Sequence, residues 1–105
     1  VRLAEIVREK ALGVTRQEVP HSIAVVVEEL EESDVLTKIH ASLIVERDSQ
    51  KGIVIGRGGE TLKKIGSRAR EEMERVLGHK VFLDLRVKVL KEWQRDPKAL
   101  QRLGF

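Results

Sequence analysis

Leu3, Ile6, Val7 and Ala11 recur at the spacing of one helical face, and Gly13 follows where it could end the run, so residues 2–12 predict a first amphipathic helix. Thr15-Arg16-Gln17-Glu18 has the form of a capping box for one further turn, closed by Val19-Pro20. Ile23 to Leu30 is short and rich in β-branched residues, which predicts a strand, and the acidic run from Glu31 to Asp34 supplies a polar hairpin tip. The returning strand, Leu36 to Arg47, alternates. Ile39, Ala41, Leu43 and Val45 fall on one face and Lys38, His40, Ser42 and Glu46 on the other, with Ile44 the single interruption. Ser49 is placed to cap a short helix that runs to Ile55. Leu62, Ile65, Ala69, Met73, Val76 and Leu77 mark the inner face of the clearest helix in the chain, from near Glu60 to Gly78. Val81, Leu83, Leu85, Val87 and Val89 alternate as a third strand. Because a helical pair joins it to the second, it requires a right-handed crossover and parallel pairing. Asp96-Pro97 caps and opens a last short helix carrying Leu100 and Leu103.

The order that results is helix, strand, strand, helix, glycine loop, helix, strand, helix, an α+β pattern. At 105 residues it supports one domain with a single modest core. The chain has no cysteine, so disulfides and thiolate metal sites are excluded. Its apolar runs, such as Ile23 to Val27, are too short to span a bilayer, and no signal-peptide pattern opens it, so a soluble intracellular domain is expected.

Gly56-Arg57-Gly58-Gly59, between Ile53-Val54-Ile55 and the long helix, carries the most chemistry. Two glycines three apart let the main chain turn through left-handed conformations and approach phosphates with no side chain in the way, and the following helix offers free N–H groups and a positive dipole end. Two other glycine-rich phosphate loops do not fit. A P-loop needs lysine after its last glycine, but Glu60 follows Gly59, and a dinucleotide fingerprint needs glycine where Thr61 stands. The charge distribution favours nucleic acid as well. The net charge is only +3, yet from Lys51 to Arg70 six bases (Lys51, Arg57, Lys63, Lys64, Arg68, Arg70) meet one acid, Glu60, a local +5 centred on the loop. Glu28, Glu29, Glu31, Glu32 and Asp34 form the opposing acidic block. Arg68 with Glu72, Arg70 with Glu74 and Glu71 with Arg75 are spaced to pair along the helix, which is how an ordinary solvated face would use the later bases.

This order of elements, with a glycine loop joining two helices between the second and third strands, resembles a type II KH domain. Ile53-Val54-Ile55-Gly56-Arg57-Gly58-Gly59, followed by Leu62 and Ile65, matches that family's core motif. The flanking phrases Arg8-Glu9-Lys10, Glu18-Val19-Pro20-His21-Ser22, Val87-Lys88-Val89 ahead of Trp93, and Leu100-Gln101-Arg102-Leu103-Gly104-Phe105 are similar to the C-terminal domain of the bacterial Era GTPases. The resemblance implies a three-stranded mixed sheet packed against three helices with a short C-terminal helix, one domain over residues 1–105. It implies binding of single-stranded RNA, the 3′ end of 16S ribosomal RNA during assembly of the small (30S) subunit. It further implies a cytoplasmic protein with peripheral contact to the cell membrane, and a parent chain whose GTPase domain lies N-terminal to this segment and is not part of it.

On that resemblance the main chain of Gly56, Arg57, Gly58 and Gly59 contacts phosphates. Ile53, Val54, Ile55, Leu62 and Ile65 form an apolar floor for bases, or share in the core. Arg57, Lys63 and Lys64 supply longer-range charge, and Thr61 a polar contact or cap. Phe82, Trp93 and Phe105 are too few for an aromatic stacking platform, and Trp93 and Phe105 read as anchors for the last helix. His21, His40 and His79 stand apart from acids at ligand spacing, so no metal is expected, and His21 reads as a turn residue. No cofactor, catalytic residue or enzymatic activity is expected of this chain. The alternative is a KH-like protein-interaction domain that docks on a ribosome-assembly partner or on its own GTPase domain, with the acidic hairpin serving it.

Overall fold

The computed structural model describes residues 2–15, 23–91 and 95–103, so the turn predicted over 16–20, His21, Trp93 and Phe105 lie outside the described residues. The elements are α1 (Leu3–Thr15), β1 (Ala24–Glu32), β2 (Leu36–Val45), α2 (Asp48–Ile55), a single turn at Arg57–Gly59, α3 (Glu60–Leu77), β3 (Lys80–Val89) and α4 (Pro97–Arg102). The sheet runs β1-β2-β3. β1 pairs antiparallel with β2 and β3 pairs parallel with it, so the sheet is mixed and the α+β expectation holds.

The period of two decides which face each strand residue occupies. Ile39, Ala41, Leu43 and Val45 turn toward the helices and join Val7, Ala11, Val54, Ile65, Ala69 and Met73 in the core. Ile44, the interruption in the alternation, has a separate explanation. It points to the opposite face, where it is 5% exposed beside Ala24 and is covered by Leu100 of α4 and Leu103 just past its end. The last helix therefore closes one corner of the sheet's outer side. Asp96 holds that helix in place, since its Oδ1 accepts the Lys98 amide at 3.0 Å and its carbonyl accepts the Leu100 amide at 2.9 Å.

The rest of the outer face is polar and cross-linked. A bulge between Val27 and Glu29 turns Glu28 toward the sheet centre, where it accepts from Ser42 Oγ and from Lys88 Nζ at 2.8 Å. Those two hydrogen bonds, that of Lys88 first, hold the Glu28 carboxyl below the usual carboxylate range despite the opposing cost of desolvation. His40 is less isolated than its sequence surroundings suggest. The β2–β3 register sets it opposite Asp84, with Nδ1 and Oδ2 3.1 Å apart.

Four local expectations are corrected. Gly13 does not end α1: the helix runs on to Thr15, whose hydroxyl donates back to the Ala11 carbonyl at 2.8 Å instead of capping a new turn. Ser49 does not cap α2. Gln50 does the equivalent work from inside the helix, its Oε1 accepting the Glu46 and Arg47 amides at 2.9 and 3.0 Å. Val76 lies in the last turn of α3, past the packed stripe of Ile65, Ala69 and Met73, and is 49% exposed. Of the three ion pairs expected along α3, Arg70–Glu74 forms at 3.0 Å among the described residues. Glu72 instead turns to α1 and meets Lys10 Nζ at 2.7 Å across the helix interface, where the Lys10 side chain is only 21% exposed. The hydrogen bond to Glu72 raises the Lys10 pKa above the ordinary lysine value.

Candidate nucleic-acid interface

Both ends of the glycine loop are pinned from below. Val54, two residues before it, and Ile65, on the second turn of α3, have no exposed surface, and full burial of such side chains contributes roughly 1.5–3 kcal/mol each. They cannot touch a base, so of the two roles expected of them, floor or core, they take the core: they anchor the loop, and Ile53, Ile55 and Leu62 keep partial exposure around it.

Inside the loop the backbone conformation dictates the residue types. Gly56 has φ 74° and ψ 176°, a region essentially reserved for glycine, and a Cβ there would collide with the Thr61 hydroxyl and lie 2.8 Å from Thr61 Cβ. Thr61 thus packs on the loop from the first turn of α3. Gly58 and Gly59 are left-handed, at φ 63° and 80°, with open space where a side chain would stand. Arg57 is the one side chain among four positions, and it is exposed. The loop closes on itself through Gly59 N–H to Gly56 O at 3.2 Å and through Glu60 N–H to Arg57 O. The amides of Arg57 and Gly58 have no partner among the described residues, so the tip presents N–H groups, a guanidinium and no acid.

From this loop a groove of about 360 Å³ runs between α3 and β3. Leu62, Gly66 and Arg70 line it from the helix, Leu83 and Leu85 from the strand, with Lys63 and Ser67 at the helix rim. Gly66 gives the groove its depth, since a Cβ there would meet nothing nearer than Leu85 Cδ1 at 3.7 Å. The strand wall is also a hydrogen-bonding edge. Leu90 donates its amide to Val45, so even-numbered residues of β3 face β2, and the amides and carbonyls of Leu83 and Leu85 face outward along the free edge of the sheet. A second cleft of about 440 Å³ lies on the other side of α3, against Val14, with Glu60, Thr61 and Lys64 on its wall.

Of the predicted site residues the structure sets Gly59, Leu62 and Lys63 along the groove, while Thr61 and the exposed Lys64 lie on the wall of the second cleft, across α3. Sequence reading missed the opposite wall, Leu83 and Leu85, and the groove-lining Gly66, Ser67 and Arg70. Gly66 could have signalled it, because a glycine within a strong amphipathic helix costs about 1 kcal/mol against alanine and calls for a packing reason. Among the described residues no group of His, Asp or Glu could hold a metal ion, and no helix is long and apolar enough to cross a membrane.

Comparison with known proteins agrees with this geometry. The KH domain family model matches residues 18–94. The chain is 57% identical over 108 residues to GTPase Era of Mycolicibacterium smegmatis and 59% identical over 108 residues to GTPase Era of Mycobacterium tuberculosis, and it spans 36% of the length of each. It superposes with a TM-score of 0.90 and 47% identity on an Era variant from Aquifex aeolicus bound to GDP and aluminium fluoride, covering 97% of this chain and 35% of that one. The same TM-score and identity relate it to an Era bound to a magnesium-GTP analogue and nucleotides 1506–1542 of 16S ribosomal RNA. The chain belongs to the KH domain family, and it corresponds to the C-terminal part of the Era GTPases.

Proposed function

We propose that this domain binds single-stranded RNA along the α3–β3 groove, with phosphates on the glycine loop and bases over Leu62, Leu83 and Leu85. The observation that carries this reading is the loop tip, where three glycines at positive φ flank one exposed arginine and two amides have no partner among the described residues. Phosphates seated there meet N–H donors and positive charge, while bases further along find apolar surface and an open strand edge. The relative solved with a 16S ribosomal RNA fragment supports the 3′ end of that RNA as the target, and hence a part in assembly of the 30S subunit. The 105 residues act as one KH unit, without GTP hydrolysis of their own, beside the GTPase domain that the rest of the parent chain supplies. Cytoplasmic work, with peripheral membrane contact through the parent protein, completes the reading.

Arg57→Asp with Gly58→Asp tests it. Aspartate tolerates the left-handed conformation and meets no atom at position 58, so the fold persists, while two carboxylates face the phosphates. Circular dichroism is expected to stay native and RNA binding to be lost. Undiminished binding by the folded double mutant would move the site elsewhere and favour a protein-docking role for the acidic hairpin.

A further inference from the structure

Arg70 lies at the end of the groove away from the loop, eleven residues beyond Gly59 and so about 16 Å along α3. Its guanidinium is held in place. Nη1 donates to Glu74 Oε1 at 3.0 Å, and the other Glu74 oxygen accepts the Val81 amide at 3.0 Å. An isolated helix pair would have no use for that third partner. Val81 shares the outward parity of Leu83 and Leu85, so Glu74 covers the next amide of the free edge and sets where the open edge stops.

This clamp fixes what the end of the groove can recognise. Both Glu74 oxygens already face donors, and arginine has five N–H donors of which Glu74 takes one, so the site offers further donors to a ligand. We infer that Arg70 is a specificity-determining residue that reads the base at this end of the groove. It selects an edge with two adjacent acceptors, guanine O6/N7 or cytosine O2/N3. Adenine and uracil alternate donor and acceptor along their pairing edges and are disfavoured. Glu74 is the positioning residue. This deepens the RNA-binding reading and rests on it.

The test is a titration panel built on the 3′ tail of 16S ribosomal RNA, with each position in turn carrying each of the four bases, against the wild-type chain, Arg70→Lys and Glu74→Gln. The wild type is expected to show one position at which guanine or cytosine binds about five- to 150-fold tighter than adenine or uracil, the range one bidentate pair supplies. Arg70→Lys keeps the charge without the fork, and the preference at that position falls below about threefold while preferences elsewhere stay. Glu74→Gln narrows the same preference with an unchanged salt slope. A uniform loss across the panel in Arg70→Lys, with the preference intact, would make Arg70 a phosphate contact and overturn the inference, as would a wild type with no such position. Failure of the groove reading itself looks different: the wild type binds none of the panel, or the loop double mutant binds it equally well, and the inference falls with it.

Discussion

Gly56 shows how one residue carries both the shape and the chemistry of the loop. Its φ and ψ leave the space of side-chain-bearing residues, and Thr61 occupies the volume a Cβ would need. Gly56→Ala must therefore shift Thr61 and strain the backbone, at a cost of about 1–3 kcal/mol for the strain alone. The expected outcome is a lower melting temperature together with at least tenfold weaker RNA binding, read by thermal denaturation and titration. A variant with wild-type stability and affinity would show that the loop does not need this conformation. Gly56 and Gly59 stood out in the sequence because of their spacing. Thr61's packing role did not, because the contact depends on how α3 leaves the loop.

The elements were legible where periodicity is long and the burial one-sided. α3 and β3 were placed within a residue at each end, since Ile65, Ala69 and Met73 repeat every four residues and the β3 apolar positions every two. The end of α1 and the start of α2 were not, because caps depend on single hydrogen bonds such as Gln50 to the Glu46 and Arg47 amides, which compete with equally reasonable residues nearby. The groove was half legible. Its helix side follows from the motif, whereas its strand side exists only through the parallel pairing that brings Leu83 and Leu85 beside Gly66. Gly66 also offers an element-scale test. Gly66→Ala fits against Leu85 and should stabilise α3 by up to about 1 kcal/mol, whereas Gly66→Leu should fill the groove and abolish binding in a folded protein. RNA affinity unchanged by Gly66→Leu would place the bases outside this groove.

At the scale of the molecule, topology separates the charges that the sequence merely segregates. β2 runs from the acidic hairpin toward α2, and α3 returns along β3, whose first residue pairs with Leu36 at the hairpin end. The basic loop and the acidic hairpin consequently sit at opposite ends of the sheet. An RNA strand approaching this field is drawn to the loop end and repelled from the hairpin end, which orients it before any base is read. Charge attraction alone, however, ignores sequence.

The decisive measurement separates those two effects. A single-stranded oligonucleotide matching the 3′ tail of 16S ribosomal RNA is titrated against a scrambled strand of equal length and composition, and against duplex, over a range of salt. With about three phosphates neutralised, both single strands should weaken with a similar slope of roughly −2 in log K against log salt. Misread bases typically cost about 1–3 kcal/mol each, so the matching tail should remain more than about tenfold tighter than the scrambled strand at physiological salt. It should also bind more tightly than duplex. Equal affinity for tail and scramble would contradict groove reading and leave a basic patch that holds any strand.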